Sequence, residues 1–291
     1  MLAEVLACLR PAPGDLVVDC TLGGGGHAQA ILEAVQPGGR LIGLDVDGAE
    51  LSRTRARLLG AGFGAGIFVA RHGNFADLPS VLAGEGATAA NVILADLGVS
   101  SMQIENPARG FSYKDPGPLD MRMDPSHGES ASDMVARLGE DALSRLLTEN
   151  ADEPHALLIA RLLKEKRVAT THEVERVVRT GLNRAFPGLA KADVKMSVRR
   201  TFQALRIAVN GELAALEALL GALPACLAPG GRAAILTFHS GEDRRVKKAF
   251  QAGYRGGVYS AIADRVIRSK KEETFTNRRA AAAKLRWAIR R

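Results

Sequence analysis

Aromatic side chains, cysteines and long apolar runs are all scarce in this sequence. Only 4% of the residues are aromatic, so aliphatic side chains must fill the core. The three cysteines, Cys8, Cys20 and Cys226, are far apart, which argues against a disulfide framework and a zinc cluster. No apolar run is long enough to span a bilayer, and the short N-terminal one contains Glu4, which disfavours a signal peptide. We therefore expect a cytoplasmic globular protein with neither a membrane segment nor a metal site.

Acidic residues are scarce in one part of the chain, its C-terminal fifth. Residues 241–291 contain 15 Lys and Arg against 5 Asp and Glu, a balance of +10. The other 240 residues hold 24 against 27, a balance of −3. Such a localised basic segment is the usual electrostatic footprint of a polyanion partner. The alternative is a solvated basic tail that binds nothing.

Short apolar runs alternate with helical patterns along much of the chain. Runs rich in Val, Ile and Leu indicate strands near residues 15–20, 41–47, 65–75, 91–101 and 233–240, and helical segments separate the first three. Continuous apolar strands that alternate with helices are typical of a parallel sheet covered on both faces. The predicted fold class is therefore α/β, with an open, doubly wound sheet.

The middle of the chain breaks this alternation. No buried strand is predicted in residues 114–195, which contain helical patterns instead. We therefore predict a sheet domain, residues 1–113 and 196–291, interrupted by an all-helical insert, residues 114–195. One long helix is predicted near 197–223, with Gly211 inside it and Pro224 at its end. Its apolar residues recur every three or four positions: Phe202, Leu205, Val209, Leu213, Leu216, Leu220 and Leu223.

Four glycines, residues 23–26, stand at the first predicted strand-to-helix turn and are followed by His27. Ligands of parallel α/β sheets bind at the carboxyl ends of the strands, where glycines allow close approach to the backbone. Gly23, Gly25 and Ala28 fit the dinucleotide pattern G-x-G-x-x-A, and Asp45 lies at the distance of a ribose-binding acid. S-adenosylmethionine would use the same turn and the same acid. The glycines alone leave both ligands open, as well as a purely structural turn.

Several motifs together carry a family resemblance. The segments "GGGGHAQAIL", "GLDVD", "NFADL", "DLGVSSMQ", "RGFSYKDPGPLDMRMD", "RTFQALRIAVNGEL" and "LAPGGRAAILTFHSGEDRRVK" occur in this order. With them the sequence closely resembles the bacterial small-subunit ribosomal RNA cytosine-N4 methyltransferases. The resemblance covers nearly the whole chain, and "DLGVSS" and "GPLDMRMD" are its most specific parts.

The resemblance implies a fold and an activity. The fold is a class I, Rossmann-like S-adenosylmethionine-dependent methyltransferase domain with an inserted helical domain. The methyl acceptor is the 4-amino group of a cytidine in the decoding region, so the expected partner is ribosomal RNA within the small subunit. The implied donor-binding residues are Gly25, Gly26 and His27 at the methionine end, Asp45 at the ribose, Phe75 at the adenine, and Asp96 with Gln103 completing the pocket. Simple alternatives are core packing for Phe75 and a polar helix start for His27.

Catalysis at a cytosine amino group needs a hydrogen-bond acceptor that redirects the nitrogen lone pair toward the methyl group. Asp96, Ser100 and Ser101 are the candidate acceptors, and no metal is required because the sulfonium is already a good leaving group. Arg109 and Arg122 are candidates for holding the RNA backbone. Both arginines could instead pair with acids of their own loop: Asp115, Asp120 or Asp124. Two other functions fit parts of the pattern, an NAD(P)-dependent oxidoreductase and a non-catalytic RNA-binding protein.

Overall fold

The computed structural model describes the backbone of residues 1–291 and every side chain except those of Lys271, Thr276, Arg278 and Arg279. The chain forms two compact units. The sheet unit comprises residues 1–98 and 213–291, and the helical unit comprises residues 99–212.

Strands and helices have the following bounds. The strands are β1 (Leu16–Asp19), β2 (Arg40–Asp45), β3 (Phe68–His72), β4 (Ala90–Asp96), β5 (Leu227–Thr237), β6 (Tyr259–Ile262) and β7 (Lys284–Arg290). The helices are α1 (Leu2–Leu9), α2 (Gly26–Ala34), α3 (Gly48–Gly60), α4 (Leu78–Gly84), α5 (Ser101–Glu105), α6 (Ala131–Arg137), α7 (Glu140–Ala151), α8 (Ala156–Lys166), α9 (Thr171–Ala185), α10 (Lys191–Asn210), α11 (Glu212–Cys226), α12 (Ser240–Arg255) and α13 (Lys271–Thr276).

A seven-stranded sheet organises the sheet unit, in the order β3-β2-β1-β4-β5-β7-β6. Strands β1 to β5 are parallel, and β7 runs antiparallel to both β5 and β6. Successive residues of a strand point to opposite faces, so Val17 and Val18 of β1 lie in two different hydrophobic clusters, as do Val92 and Ile93 of β4. Both faces are therefore covered, which confirms the predicted doubly wound α/β sheet.

The long helix predicted near 197–223 is two helices, so that prediction is wrong. Helix α10 ends at Asn210, where Gly211 takes a left-handed conformation with φ +59°, the common end of a helix. The apolar periodicity continues across the break because each half buries one face in a different core. Phe202 of α10 belongs to the core of the helical unit, and Leu216 of α11 to that of the sheet unit. Pro224, expected to end the helix, lies inside α11.

The helical unit is longer at both ends than the predicted insert, residues 114–195. It begins at residue 99 because Phe111 and Tyr113 pack against its core, and the rings of Tyr113 and Phe202 lie 5.1 Å apart. It extends to residue 212 because α10 buries Val198 and Leu205 in the same core. The apolar pattern of a helix shows that one face is buried, but it does not show against which core.

Helices α6 to α10 supply most of the hydrophobic core of the helical unit. Ser130 caps α6, and Thr170 forms a capping box with Glu173 at the start of α9, an arrangement that satisfies otherwise unpaired backbone N–H groups.

No single helix within residues 1–291 is long and apolar enough to cross a membrane, and α10 and α11 pass that test only when taken together as a bent pair.

Part of the predicted basic tail is a strand inside the sheet. Strand β7 lies between β5 and β6, and its Leu285 and Ala288 are fully buried. Its Arg286 is also buried and donates a 2.6 Å hydrogen bond from Nε to Asp243. Arg290 donates to the backbone carbonyls of Pro224 and Val258. For residues 284–290 the alternative of a solvated tail is therefore wrong, because Arg286 and Arg290 form hydrogen bonds within the sheet unit.

Candidate active site

The glycine run forms the turn between β1 and α2, and its members have different surroundings. Gly25 has φ +71°, and a Cβ there would lie 2.6 Å from Thr54 Cγ2 and 2.7 Å from Arg57 Nη2. Gly24 and Gly26 face open space, since a Cβ on either would meet nothing within 4 Å among the described residues. The close neighbour of Gly25 is therefore helix α3, whereas Gly24 and Gly26 leave room beside the backbone.

Helix α3 also holds the turn by hydrogen bonds. Thr54 Oγ1 donates to the carbonyl of Gly23, and Arg57 Nη2 donates to the carbonyl of Gly24 at 2.7 Å. Gly25, the N-cap of α2, has no side chain with which to cap the helix. The first N–H groups of a helix lack partners within the helix and carry partial positive charge. The turn therefore presents donors to a ligand at the carboxyl edge of the sheet.

Asp45 ends β2 and ties that strand to the glycine turn. Its Oδ2 accepts the backbone N–H of Gly23 at 2.7 Å, and its Oδ1 accepts that of Asp47 at 2.8 Å. Burial raises the pKa of Asp45, while the two backbone hydrogen bonds act in the opposite direction. A carboxylate oxygen can accept more than one hydrogen bond, so Asp45 keeps acceptor capacity beside the turn. Its contact with ribose hydroxyls stays a prediction.

Three titratable side chains meet at the ends of β1 and β4 and at the start of α2. His27 Nε2 lies 3.5 Å from Asp96 Oδ2, and Asp19 is only 1% exposed. Burial raises the pKa of Asp19 to about 6, although the nearby charge of His27 opposes the shift. Burial also acts to lower the pKa of His27, but the hydrogen bond and charge of Asp96, together with the charge of Asp19, raise it overall. The cluster therefore favours a cationic His27 between two carboxyl groups.

Two polar atoms of this cluster lack protein partners. Asp96 Oδ1 and His27 Nδ1 are buried and have no hydrogen-bond partner among the described residues. The backbone of Asp96 is fixed, because its N–H donates to Thr21 Oγ1 at 2.6 Å. Buried polar atoms are nearly always hydrogen-bonded, since leaving them unpaired is unfavourable. Open space at Gly24 and Gly26 and unpaired atoms on Asp96 and His27 together fit a polar ligand at this edge.

Phe75 follows β3 in a single helical turn, residues 75–77. Asn74 begins this turn by accepting the N–H of Ala76 at 2.9 Å. Phe75 is half-buried and packs against a hydrophobic cluster of the sheet unit. This contact supports the core-packing alternative for the inner part of the ring. Contact of its exposed part with an adenine stays a prediction.

Ser100, Ser101 and Gln103 belong to the helical unit, at the start of α5. Ser100 and Gln103 form a capping box: the N–H of Gln103 donates to Ser100 Oγ at 3.1 Å, and the N–H of Ser100 donates to Gln103 Oε1 at 2.8 Å. Ser101 is exposed, whereas Gln103 is buried. Ser100 and Gln103 thus have a structural role that the sequence analysis missed, although the spacing S-x-x-Q is its usual signal. The catalytic and donor-binding roles of all three residues stay predictions.

Arg109 and Arg122 order their own loop. Arg122 forms two hydrogen bonds with Asp120, from Nε at 2.9 Å and from Nη2 at 2.7 Å, and they lower the pKa of Asp120. Arg109 Nη2 donates to the carbonyls of Arg122 and Met123, and its guanidinium lies 5.6 Å from the ring centre of Phe111. These contacts support the loop-ordering alternative. A contact of either arginine with RNA stays a prediction.

Comparison with known proteins decides the family. Residues 1–291, the whole chain, match the MraW methylase family. The chain belongs to this family. It is 46% identical over 292 residues to "Ribosomal RNA small subunit methyltransferase H 2" of Alkaliphilus metalliredigens, covering 99% of this chain and 83% of that protein. It is 44% identical to "Ribosomal RNA small subunit methyltransferase H 1" of Agathobacter rectalis, covering 100% and 84%, and 42% identical to the protein named "Ribosomal RNA small subunit methyltransferase H" of Sorangium cellulosum, covering 99% and 88%.

Membership of the MraW methylase family confirms the resemblance, the methyltransferase class and S-adenosylmethionine as the cofactor. Family membership therefore selects S-adenosylmethionine over a dinucleotide as the ligand of the glycine turn, and it argues against the oxidoreductase alternative.

The sequence analysis missed Asp19, whose signal was an acid at the end of the first strand. It also missed the contacts of Thr54 and Arg57 with the turn, for which the sequence offers no signal because they depend on how α3 packs.

Proposed function

We propose that this methylase transfers the methyl group of S-adenosylmethionine to the 4-amino group of a cytidine in the decoding region of small-subunit ribosomal RNA. The observation that carries the proposal is the pair of buried, unpartnered atoms Asp96 Oδ1 and His27 Nδ1 at the carboxyl edge of the sheet. The names of the relatives support ribosomal RNA as the substrate. The choice of cytosine N4 and of the decoding region rests on the motif resemblance.

The sheet unit holds the donor between the ends of β1, β2 and β4. Gly25, Gly26 and His27 would hold the methionine end, because the first turn of α2 offers N–H groups and the space beside Gly26 is open. Asp45 would accept hydrogen bonds from the ribose hydroxyls, since it keeps acceptor capacity beside its two backbone partners. The exposed part of the Phe75 ring would hold the adenine. Gln103 stays a candidate donor-binding residue, as the resemblance implies.

The reaction requires an oriented cytosine amino group and a proton acceptor. S-adenosylmethionine supplies an electrophilic methyl group when bound. Asp96 Oδ1 accepts a hydrogen bond from the amino group and so turns the nitrogen lone pair toward that methyl group. One N–C bond forms, one C–S bond breaks, and Asp96 takes the proton that the amino nitrogen releases. His27 Nε2 lies 3.5 Å from Asp96 Oδ2 and helps to position that side chain. Ser100 and Ser101 stay further candidate acceptors.

Analysis of the methylated nucleoside tests the proposal. Purified protein, isotope-labelled donor and unmodified small-subunit RNA, free or in subunits, are incubated, and the RNA is then digested and analysed by mass spectrometry. We expect labelled N4-methylcytidine at one position. A matched RNA with that cytidine changed to uridine should take up no label. Label on another base, or at another atom of cytosine, would overturn the proposal.

A further inference from the structure

Helix α12 has one face built into the sheet unit and one face directed to solvent. Its inner face buries Val246 and Phe250 in a hydrophobic cluster, where Phe250 meets the ring of Tyr259 edge-on at 5.6 Å. Its outer face exposes Lys247, Lys248 and Arg255 together with Tyr254. Positions 247, 248, 254 and 255 fall on one side of a helix because seven residues complete nearly two turns.

The outer face of α12 carries charge of one sign. Residues 244–255 contain five Lys and Arg and no Asp or Glu. Arg245 pairs with Glu217, and the acids of the first turn point elsewhere, since Glu242 is buried and Asp243 bonds Arg286. The exposed cations of this face are therefore not balanced by acids of the same helix.

Tyr254 adds an aromatic ring to this basic face. It is 52% exposed, although aromatic residues make up only 4% of the chain. An exposed aromatic side chain among cations is the usual composition of a surface that binds single-stranded nucleic acid, where the cations follow the phosphates and the ring stacks on a base.

The position of α12 relates this face to the active site. The helix begins at Ser240, three residues beyond the end of β5, whose Leu236 pairs with Asp96 of β4. A helix rises 1.5 Å per residue, so Lys247 and Arg255 lie about 10 and 22 Å along α12 from its start at this edge. An RNA strand with one base at the edge can therefore place neighbouring phosphates along the helix.

We propose that the outer face of α12, formed by Lys247, Lys248, Tyr254 and Arg255, binds single-stranded ribosomal RNA next to the target base. The inference rests on the proposed function, because it names the surface that holds the substrate of that site. It narrows the basic segment of the sequence analysis, residues 241–291, to α12, since β7 and its arginines belong to the sheet. Within α12 the three cations contact phosphates, and Tyr254 stacks on a base.

Salt dependence of RNA binding tests the cations. The variant Lys247→Gln/Lys248→Gln/Arg255→Gln is compared with wild type by fluorescence anisotropy, using a labelled small-subunit ribosomal RNA fragment at several KCl concentrations. Each lost phosphate contact on a single strand lowers the slope of log affinity against log salt by about 0.7, so the slope should fall by about 2. The matched control is Lys191→Gln/Lys195→Gln/Arg199→Gln, which removes three exposed cations of α10 and should leave the slope nearly unchanged.

Substitution of Tyr254 tests stacking. Tyr254→Ala should weaken RNA binding about tenfold, whereas Tyr254→Phe keeps the ring and should bind as wild type does. Calorimetry with S-adenosylmethionine should give unchanged affinity for the α12 variants, which also shows that they are folded.

The outcomes separate the two proposals. An unchanged salt slope for the α12 triple variant, or equal losses from the α12 and α10 triple variants, would overturn the α12 surface while methylation by wild type still supports the function. Wild-type protein that forms no N4-methylcytidine but binds RNA with the predicted loss on α12 would overturn the function and leave the surface standing.

Discussion

The sequence analysis places two groups of polar residues in the site, one at the carboxyl edge of the sheet and one in the loop after β4. The two groups differ in how completely the protein itself supplies their hydrogen-bond partners. In the loop, Arg122 meets Asp120 and Arg109 meets two backbone carbonyls. At the sheet edge, Asp96 and His27 each keep a buried atom without a partner among the described residues. Hydrogen bonds completed within the protein hold the loop in its fold, whereas a buried polar atom without a protein partner needs another explanation, and at this edge we infer a ligand. Substitutions in the two regions should therefore affect different measurements.

The largest effect is expected at Asp96. Asp96→Asn removes the negative charge and the proton acceptor but keeps the shape, so methyl transfer should fall about 10²- to 10⁴-fold, the usual contribution of a general base. The melting temperature should fall much less than the rate, because Asp96 Oδ1 has no protein partner to lose and Asn still offers His27 an oxygen acceptor in place of Oδ2. Single-turnover methyl transfer measures the loss. Asp77→Asn, which changes an exposed acid, is the control, and equal rates for the two variants would refute the role of Asp96.

Substitutions of two neighbouring glycines at the sheet edge should have different effects, one on stability and the other on donor binding. Gly25→Ala forces a Cβ against Thr54 and Arg57 at φ +71°, so stability should fall by about 1–3 kcal/mol. Gly26→Ala meets open space and should keep its stability but weaken donor binding, since the methyl group occupies room meant for the ligand. Urea unfolding and calorimetry with S-adenosylmethionine measure the two effects. Full donor affinity in Gly26→Ala would place the donor elsewhere.

A smaller loss of donor affinity is expected at Asp45. Asp45→Ala should weaken S-adenosylmethionine binding by about 1–3 kcal/mol, the result of leaving polar groups unpaired. Asp45→Asn keeps one carbonyl acceptor and should lose less. Stability must be measured as well, because Asp45 accepts the N–H groups of Gly23 and Asp47. Unchanged affinity in a folded Asp45→Ala variant would remove Asp45 from the donor site.

The smallest effect is expected at Arg122 and should appear in stability. Arg122→Ala should lower the free energy of unfolding at pH 7 by about 0.5–1 kcal/mol, as for other partly exposed ion pairs, while donor affinity stays unchanged. The pKa of Asp120 is lowered by Arg122, so this stabilisation is present above the ordinary Asp pKa and is lost as pH falls through the lowered one. Urea unfolding at pH 7 and below pH 3 should show the difference between wild type and variant shrinking in acid. Normal stability with lost RNA methylation would instead favour an RNA contact.

Local patterns along the chain were enough to predict much of the donor edge. Acids at strand ends and glycines at the first turn indicate a ligand, because parallel strands bring their carboxyl ends together. The spacing S-x-x-Q also indicates the cap of α5 by Ser100 and Gln103. No local pattern could show that α3 packs against Gly25, because that contact forms only once the elements are in place.

The sequence by itself determined the alternation of strands and helices, the glycine turn with Asp45 and Asp96 at strand ends, and the family. Only the tertiary structure decided which charged side chains are buried and paired and which remain exposed. Arg286 of β7 is buried against Asp243, whereas Lys247 and Lys248 of α12 remain exposed, although all three belong to one basic segment. It also decided that Gly211 divides two helices between two cores. The physical reason is that burial and pairing depend on neighbours distant in the chain, whereas periodicity and composition report only on local preferences.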